Sequence, residues 1–165
     1  MGLRGRAAGG TEVATVEVAP DRGEPAKKRT HEAEAAAVVE TLAGIVEPGR
    51  EDSVVVLTPY KNQGALIRSM LRARRGPLQA VEVLNTHRAQ GREWDTVIFS
   101  AVDGSRPSCR PYFTDSTRPI GRVVINTTLS RVKRRLILVL ERDYWAKRPG
   151  QLLGSLAALG LARGA

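Results

Sequence analysis

A single cysteine, Cys109, and two histidines, His31 and His87, are all the thiol and imidazole metal ligands in this chain of 165 residues. One thiol cannot close an intramolecular disulfide, and one cysteine with two imidazoles falls short of an ordinary structural zinc site, so no metal is expected and the compartment reads as reducing. Aromatic residues make up only 4% of the chain, so a core has to be built from aliphatic side chains. The apolar runs, such as Val54 to Leu57 and Leu136 to Leu140, are short and strand-sized. Neither approaches the roughly 20 residues of a membrane-spanning helix, so no membrane partner is expected. Arg6 stands where a myristoylation signal has Ser or Thr, and no apolar core of a signal peptide follows it. No Ser or Cys stands at suggestive spacing from His87, so no hydrolase triad is read, and there are no internal repeats.

What is abundant is arginine. Lys and Arg number 26 against 17 Asp and Glu, a formal charge of +9, and 21 of the 26 are Arg. Guanidinium pairs with phosphate oxygens in a planar, bidentate way, so the excess points to phosphate-bearing partners. The charge is uneven. Residues 31 to 52 hold six acids and one Arg, residues 61 to 75 hold five basic residues and no acid, and residues 105 to 135 hold eight basic residues and one acid. With 42% hydrophobic residues the length fits one globular domain, or a domain with a tail.

The first ten residues, with four glycines, read as a flexible or truncated start. Thr11 to Ala19 alternates as a short strand, and residues 20 to 30 read as a loop. The domain proper is expected over 31–165, after a flexible or partly stranded 1–30. His31 to Val46 carries Ala35, Val38, Val39, Leu42, Ile45 and Val46 at helical spacing, with Glu32, Glu34 and Glu40 off that stripe. Val54 to Leu57, Val81 to Leu84, Thr96 to Val102 and Leu136 to Leu140 are expected strands. Helices are expected over Gln63 to Arg74, Asn126 to Arg134 and Gln151 to Ala162, the first two capped by Asn62 and Asn126. Residues 103 to 120 read as a long loop. The alternation argues for a mostly parallel α/β sheet covered by helices on both faces.

In such sheets ligands sit outside the carboxyl ends of strands, which directs attention to the polar segments between the buried runs. Thr58-Pro59-Tyr60-Lys61-Asn62-Gln63 offers hydroxyls and a ring suited to a sugar-phosphate backbone or a base, or else a turn and helix start. In Gln90-Gly91-Arg92-Glu93-Trp94-Asp95, Gly91 allows close backbone approach and Glu93 can accept from a ribose hydroxyl. Arg131, Arg134 and Arg135 fall at i, i+3 and i+4, near one face of the expected helix. A guanidinium fixed there suits a transferring phosphate; a solvated basic helix is the alternative.

In this order, Thr-Pro-Tyr-Lys-Asn-Gln at 58–63, Gln-Gly-Arg-Glu-Trp-Asp at 90–95 and Asn-Thr-Thr-Leu-Ser-Arg-Val-Lys-Arg-Arg at 126–135 resemble motifs IV, V and VI of superfamily 1 helicases. The similarity covers roughly residues 31 to 145 and is greatest to the branch that includes the nonsense-mediated decay helicase. It implies the second, C-terminal RecA-like lobe of a two-lobe motor, with ATP and magnesium shared with an N-terminal RecA-like lobe and a single-stranded nucleic acid as partner. By position, Glu93 would hold the ribose, Gly91 would lie close to the nucleotide and Arg131 would reach the γ-phosphate. Pro59, Tyr60, Thr86 and His87 would touch the strand. With no membrane span and no signal peptide read, an intracellular location is expected, cytoplasmic or nucleoid-associated.

Two departures qualify it. Thr127 and Thr128 stand where the family pattern has small apolar residues, placing β-branched hydroxyls in a helix. The chain also contains no Gly-Lys and no Asp-Glu dipeptide, so it lacks the phosphate loop and the magnesium-binding acid pair of this fold class and is not expected to hydrolyse ATP alone. A non-catalytic single-strand-binding module and a degenerate helicase fragment stay open as alternatives.

Overall fold

The computed structural model describes residues 3–6, 10–20 and 29–161. Most of the loop read over 20–30, part of the glycine-rich start, and Ala162 at the end of the expected last helix lie outside them. Six strands form one sheet: β1 (Leu3–Arg6), β2 (Glu12–Glu17), β3 (Val54–Thr58), β4 (Glu82–Asn85), β5 (Trp94–Ser100) and β6 (Val132–Leu140), in the order β1-β2-β6-β5-β3-β4. All neighbours pair in parallel except β1, which runs antiparallel to β2 at the edge.

Period-two alternation divides the strand side chains between two cores. Val55, Leu57, Val97, Phe99, Leu136 and Leu138 face α3 (Pro119–Ser130), α4 (Arg142–Ala146) and α5 (Leu152–Leu161), represented by Val124, Ile125, Trp145, Leu153 and Ala157. Val54, Val56, Ile98, Ile137 and Val139 face α1 (Glu32–Ile45) and α2 (Lys61–Ala73), through Ala35, Val38, Leu42, Ile67 and Leu71. Strands buried on both faces read as unbroken aliphatic runs, which is why β3, β5 and the end of β6 stand out in the sequence. The result is the expected α/β, RecA-like arrangement of a mostly parallel sheet between two helical layers.

Three local expectations are corrected. The helix anticipated at Asn126 to Arg134 begins instead at Pro119, which supplies the fixed φ of a first helical residue, and it ends at Ser130. Asn126 is therefore inside α3 and caps nothing. Beyond Arg131 the chain enters β6, where Val132 pairs with Trp94 on one side and Arg135 with Glu12 on the other. Pairing on both flanks overrides the helical look of Val-Lys-Arg-Arg, so Arg131, Arg134 and Arg135 do not share a helix face. Likewise α2 starts at Lys61, with Tyr60 as its N-cap residue, so Asn62 lies in the first turn rather than at the cap. Glu34, placed off the apolar stripe of α1, is buried at 1% exposure.

The start of α3 also explains Gly121. A Cβ there would sit 1.9 Å from the Asp115 carbonyl oxygen, so only glycine lets this helix pack against the 103–118 loop.

Candidate functional site

The residues singled out in the sequence fall into two groups at opposite ends of the strands. Pro59 and Tyr60 follow the carboxyl end of β3, and Thr86 and His87 follow that of the adjacent β4. Asn85 joins these ends, its Nδ2 donating to the Pro59 carbonyl at 3.2 Å and its Oδ1 accepting the His87 N–H at 3.1 Å. Beside them opens a pocket of about 370 Å³ whose lining includes Tyr60, Lys61, Gly64, Arg68, His87 and Arg88. Its charged lining is cationic, and the first turn of α2 at its rim contains no acid. Arg68 is held in place by donating to the Val83 carbonyl at 2.8 Å. The motifs alone do not single out Lys61, Arg68 and Arg88. Their signal is the acid-free run from 61 to 75, which only the fold gathers with Arg88 into one pocket.

Two members of this group turn inward. Thr86 is fully buried. Tyr60 is 6% exposed, and its hydroxyl donates to Asp103, accepts from Arg29 at 3.0 Å and accepts the Phe113 N–H at 3.1 Å. Burial, reinforced by the Asp103 carboxylate, pushes the Tyr60 phenol up, so it remains a donor.

Beneath the pocket a buried polar network ties the strand ends together. Gln63 accepts the His31 N–H at 2.8 Å and donates to the His31 carbonyl at 3.0 Å and to Ser100 Oγ at 3.1 Å. Past β5 the chain turns at Val102, a β-branched residue with φ of 65°, and Asp103 N–H reaches back to the Ala101 carbonyl at 2.7 Å. That is the strained form of a γ-turn. It is held by Glu34, whose carboxyl oxygens accept the Val102 N–H at 2.6 and 3.1 Å.

Burial pushes the Glu34 carboxyl well above its ordinary value, against the lowering effect of the Val102 N–H. The folded state therefore holds this proton more tightly than the unfolded chain. The stability it contributes is fully present below the ordinary value of 4.5 and is lost as pH rises through the folded value. Glu34→Gln imitates the uncharged, protonated form and keeps one oxygen to accept the Val102 N–H. It is expected to match the parent in urea unfolding at pH 4 and to be the more stable of the two at pH 8. A difference that does not change with pH would overturn this account.

Gly91, Glu93 and Arg131 lie at the other edge, where β5 and β6 begin, and not outside the carboxyl ends where the sheet rule first directs attention. Gly91 has φ of 77°, and a Cβ there would meet nothing within 4 Å. The backbone conformation requires glycine, and the space beside it is open. Arg131 ends α3, and its carbonyl accepts the Trp94 N–H at 2.9 Å, which binds the start of β6 to the start of β5. Its guanidinium donates to Ser130 Oγ at 3.1 and 3.2 Å and to the Arg92 carbonyl at 3.2 Å. Among the described residues no carboxylate pairs with Arg131, and Glu93 is exposed without an ion-pair partner.

One segment connects the two edges. From Asn85 at the carboxyl end of β4, a 3-10 turn over Thr86–Ala89 crosses the α3 side of the sheet, where Ala89 is fully buried, and the chain emerges through Gly91 and Glu93 at the amino end of β5. The seven residues of β5 set the distance between the edges at roughly 20 Å, taking a rise of about 3.3 Å per residue.

Comparison with known proteins gives three similarities. A family profile described as an AAA domain matches residues 11–143. Over 99 residues the chain is 30% identical to the DNA polymerase alpha-associated DNA helicase A of Schizosaccharomyces pombe, an overlap covering 59% of this chain and 14% of that protein. The chain thus spans about a seventh of the length of this curated relative. Among solved structures, the C-terminal domain of a possible DNA helicase from Lactobacillus plantarum WCFS1 superposes with a TM-score of 0.47 at 21% identity, covering 67% of this chain and 68% of that one.

Proposed function

The chain belongs to this AAA domain family, a helicase-like one, and from that premise we propose that it is the second lobe of an ATP-dependent superfamily 1 helicase. In this reading the cationic pocket at the carboxyl edge carries a single strand, and the amino edge closes on a nucleotide held by another lobe. The observation that carries the reading is the 86–93 segment: it is continuous from His87 and Arg88 at the pocket to Gly91 and Glu93 beside Arg131. A shift of the strand-bearing edge has a direct covalent route to the nucleotide edge.

The amino edge fits half of a nucleotide site. Among the described residues Arg131 has no carboxylate to neutralise it and Glu93 no ion-pair partner, and the space beside Gly91 is open. Glu93 would hold the ribose and Arg131 would stabilise charge on the γ-phosphate. When bound, ATP supplies the phosphoryl group whose transfer to water drives the motor. Magnesium, as the family resemblance implies, would be shared with the other lobe and held on the phosphates. At the carboxyl edge, Lys61, Arg68 and Arg88 meet backbone phosphates, His87 lies on the strand path, Tyr60 lines the pocket beside them, and Pro59 and Thr86 belong to the turns that carry these residues.

Fluorescence anisotropy of labelled single-stranded oligonucleotides on the 165-residue chain tests the strand site. Binding is expected to weaken steeply with salt, and Lys61, Arg68 and Arg88 changed together to Ala should reduce the salt slope by about 2, at roughly 0.7 for each phosphate no longer neutralised. An unchanged slope would remove the pocket from the strand path. Salt-dependent binding by a chain that never stimulates ATP turnover in a phosphate-loop lobe would favour the non-catalytic binding module instead. Parallel DNA and RNA oligonucleotides identify the strand.

A further inference from the structure

A half-buried arginine that must meet a phosphate needs its guanidinium aimed, and Arg131 is aimed by two acceptors. Ser130 Oγ accepts from Nε and Nη2 and is itself turned by donating to the Thr127 carbonyl at 2.8 Å. The second acceptor, the Arg92 carbonyl, sits in the turn after Gly91 and has no such local restraint beyond the Arg92 N–H bond to Ala89 at 3.2 Å. Its own side chain supplies the rest. The Arg92 guanidinium forms a two-pronged pair with Glu82, at 3.1 and 2.5 Å, and lies over the Trp94 ring, 4.6 Å from its centroid. Glu82 belongs to β4 and Trp94 to β5, and β3 runs between these strands.

We propose that Glu82, Arg92 and Trp94 form a brace whose task is to position the arginine finger: they fix the Arg92 carbonyl, and through it the Arg131 guanidinium. This rests on the reading of Arg131 as the group that meets the γ-phosphate. Glu82 and Arg92 are 44% and 48% exposed, and ion pairs so exposed contribute little to stability. What the two-pronged, ring-stacked geometry does fix is orientation, because a planar fork bound at both prongs and on its face has little rotational freedom. Trp94, buried at 3%, is the rigid part of the brace, and its backbone N–H also binds the Arg131 carbonyl. Glu82 lies three residues before Asn85, so the brace starts on the strand whose far end holds the proposed nucleic-acid path. These are positioning residues; none of them is placed against the nucleotide.

The test is made on the isotope-labelled 165-residue chain by nuclear magnetic resonance, following hydrogen exchange and rotation at Arg131 Nη1, with the signals assigned by their loss in Arg131→Lys. Glu82→Gln and Arg92→Ala are expected to speed exchange at Nη1 by about fivefold, the effect of losing one ordinary net hydrogen bond. Arg92→Lys keeps an ion pair but loses the fork and the stacking, and should fall between them and the parent. Circular dichroism confirms that these surface variants fold. Exchange at Arg131 that is the same in the parent, Glu82→Gln and Arg92→Ala overturns the brace. If instead exchange responds as expected while Arg131→Ala leaves ATP turnover of the assembled motor intact, the brace stands and the finger assignment falls.

Discussion

On the proposed assignment, Arg131→Ala is expected to lower the ATP turnover of a motor that pairs this chain with a phosphate-loop lobe by about 10³ or more, the effect of removing an arginine finger. The expectation follows from where Arg131 is and from what it lacks. It closes α3 at the amino edge of the sheet, held by Ser130 Oγ and the Arg92 carbonyl, with no carboxylate among the described residues to consume its charge. An unneutralised, oriented guanidinium contributes most where charge develops during transfer, so the loss should appear in kcat far more than in KM. Arg131→Lys should recover little, since an ammonium presents a point charge and not a planar fork. Single-strand affinity should be nearly unchanged, because the cationic pocket lies at the opposite edge, roughly 20 Å away by the rise of β5. Steady-state phosphate release and oligonucleotide anisotropy on the same preparations separate these effects. Near-normal turnover in Arg131→Ala would remove the finger assignment, and a parallel fall in strand affinity would indicate damage to the lobe.

The parts of this molecule that are legible in its sequence are those set by local patterns. β3, β5 and Leu136 to Leu140 are continuous branched runs because helices cover both faces, and α1 shows its apolar stripe. The amino-edge residues Gly91, Glu93 and Arg131 stand out because each lies in a short motif with its own local signature. What is not legible depends on partners distant in the chain. β6 begins at Val132 only because β2 and β5 flank it, and nothing in Val-Lys-Arg-Arg announces that. Tyr60 reads as a strand contact from its place after β3, yet Asp103, 43 residues later, turns its hydroxyl inward. Glu34 looks like one more solvated acid on α1, and the turn that buries it is 68 residues away. The cationic pocket is half visible as an acid-free run; Arg88 joins it through the pairing of β3 with β4.

Asp103→Ala is expected to cost about 2–6 kcal/mol of stability, as leaving two buried hydroxyls without their acceptor does. Asp103 is 1% exposed and gathers four donors: Arg29 at 2.6 Å, the Tyr60 hydroxyl, the Tyr112 N–H at 3.2 Å and Thr114 Oγ1 at 2.7 Å. Its carbonyl also accepts from the buried Trp145 indole at 3.0 Å. Truncation leaves the carbonyl in place but takes the acceptor from the buried Tyr60 and Thr114 hydroxyls, while Arg29 keeps the Arg110 carbonyl, and each buried donor left without a partner costs about 1–3 kcal/mol. Against a total of about 5–15 kcal/mol for a domain, the loss takes a large share of the stability. Asp103→Asn should cost less, since its oxygen can still accept while its amide must face donors. Tyr60→Phe removes one donor and most of its penalty, so combining it with Asp103→Ala should cost less than the sum of the two, with a coupling of about 0.5–3 kcal/mol. Urea unfolding of the parent, the two single variants and the double variant measures that coupling. Strict additivity would mean that Tyr60 and Asp103 are independent. In that case the hydroxyl is not committed to Asp103, and Tyr60 returns to the strand path as a direct contact.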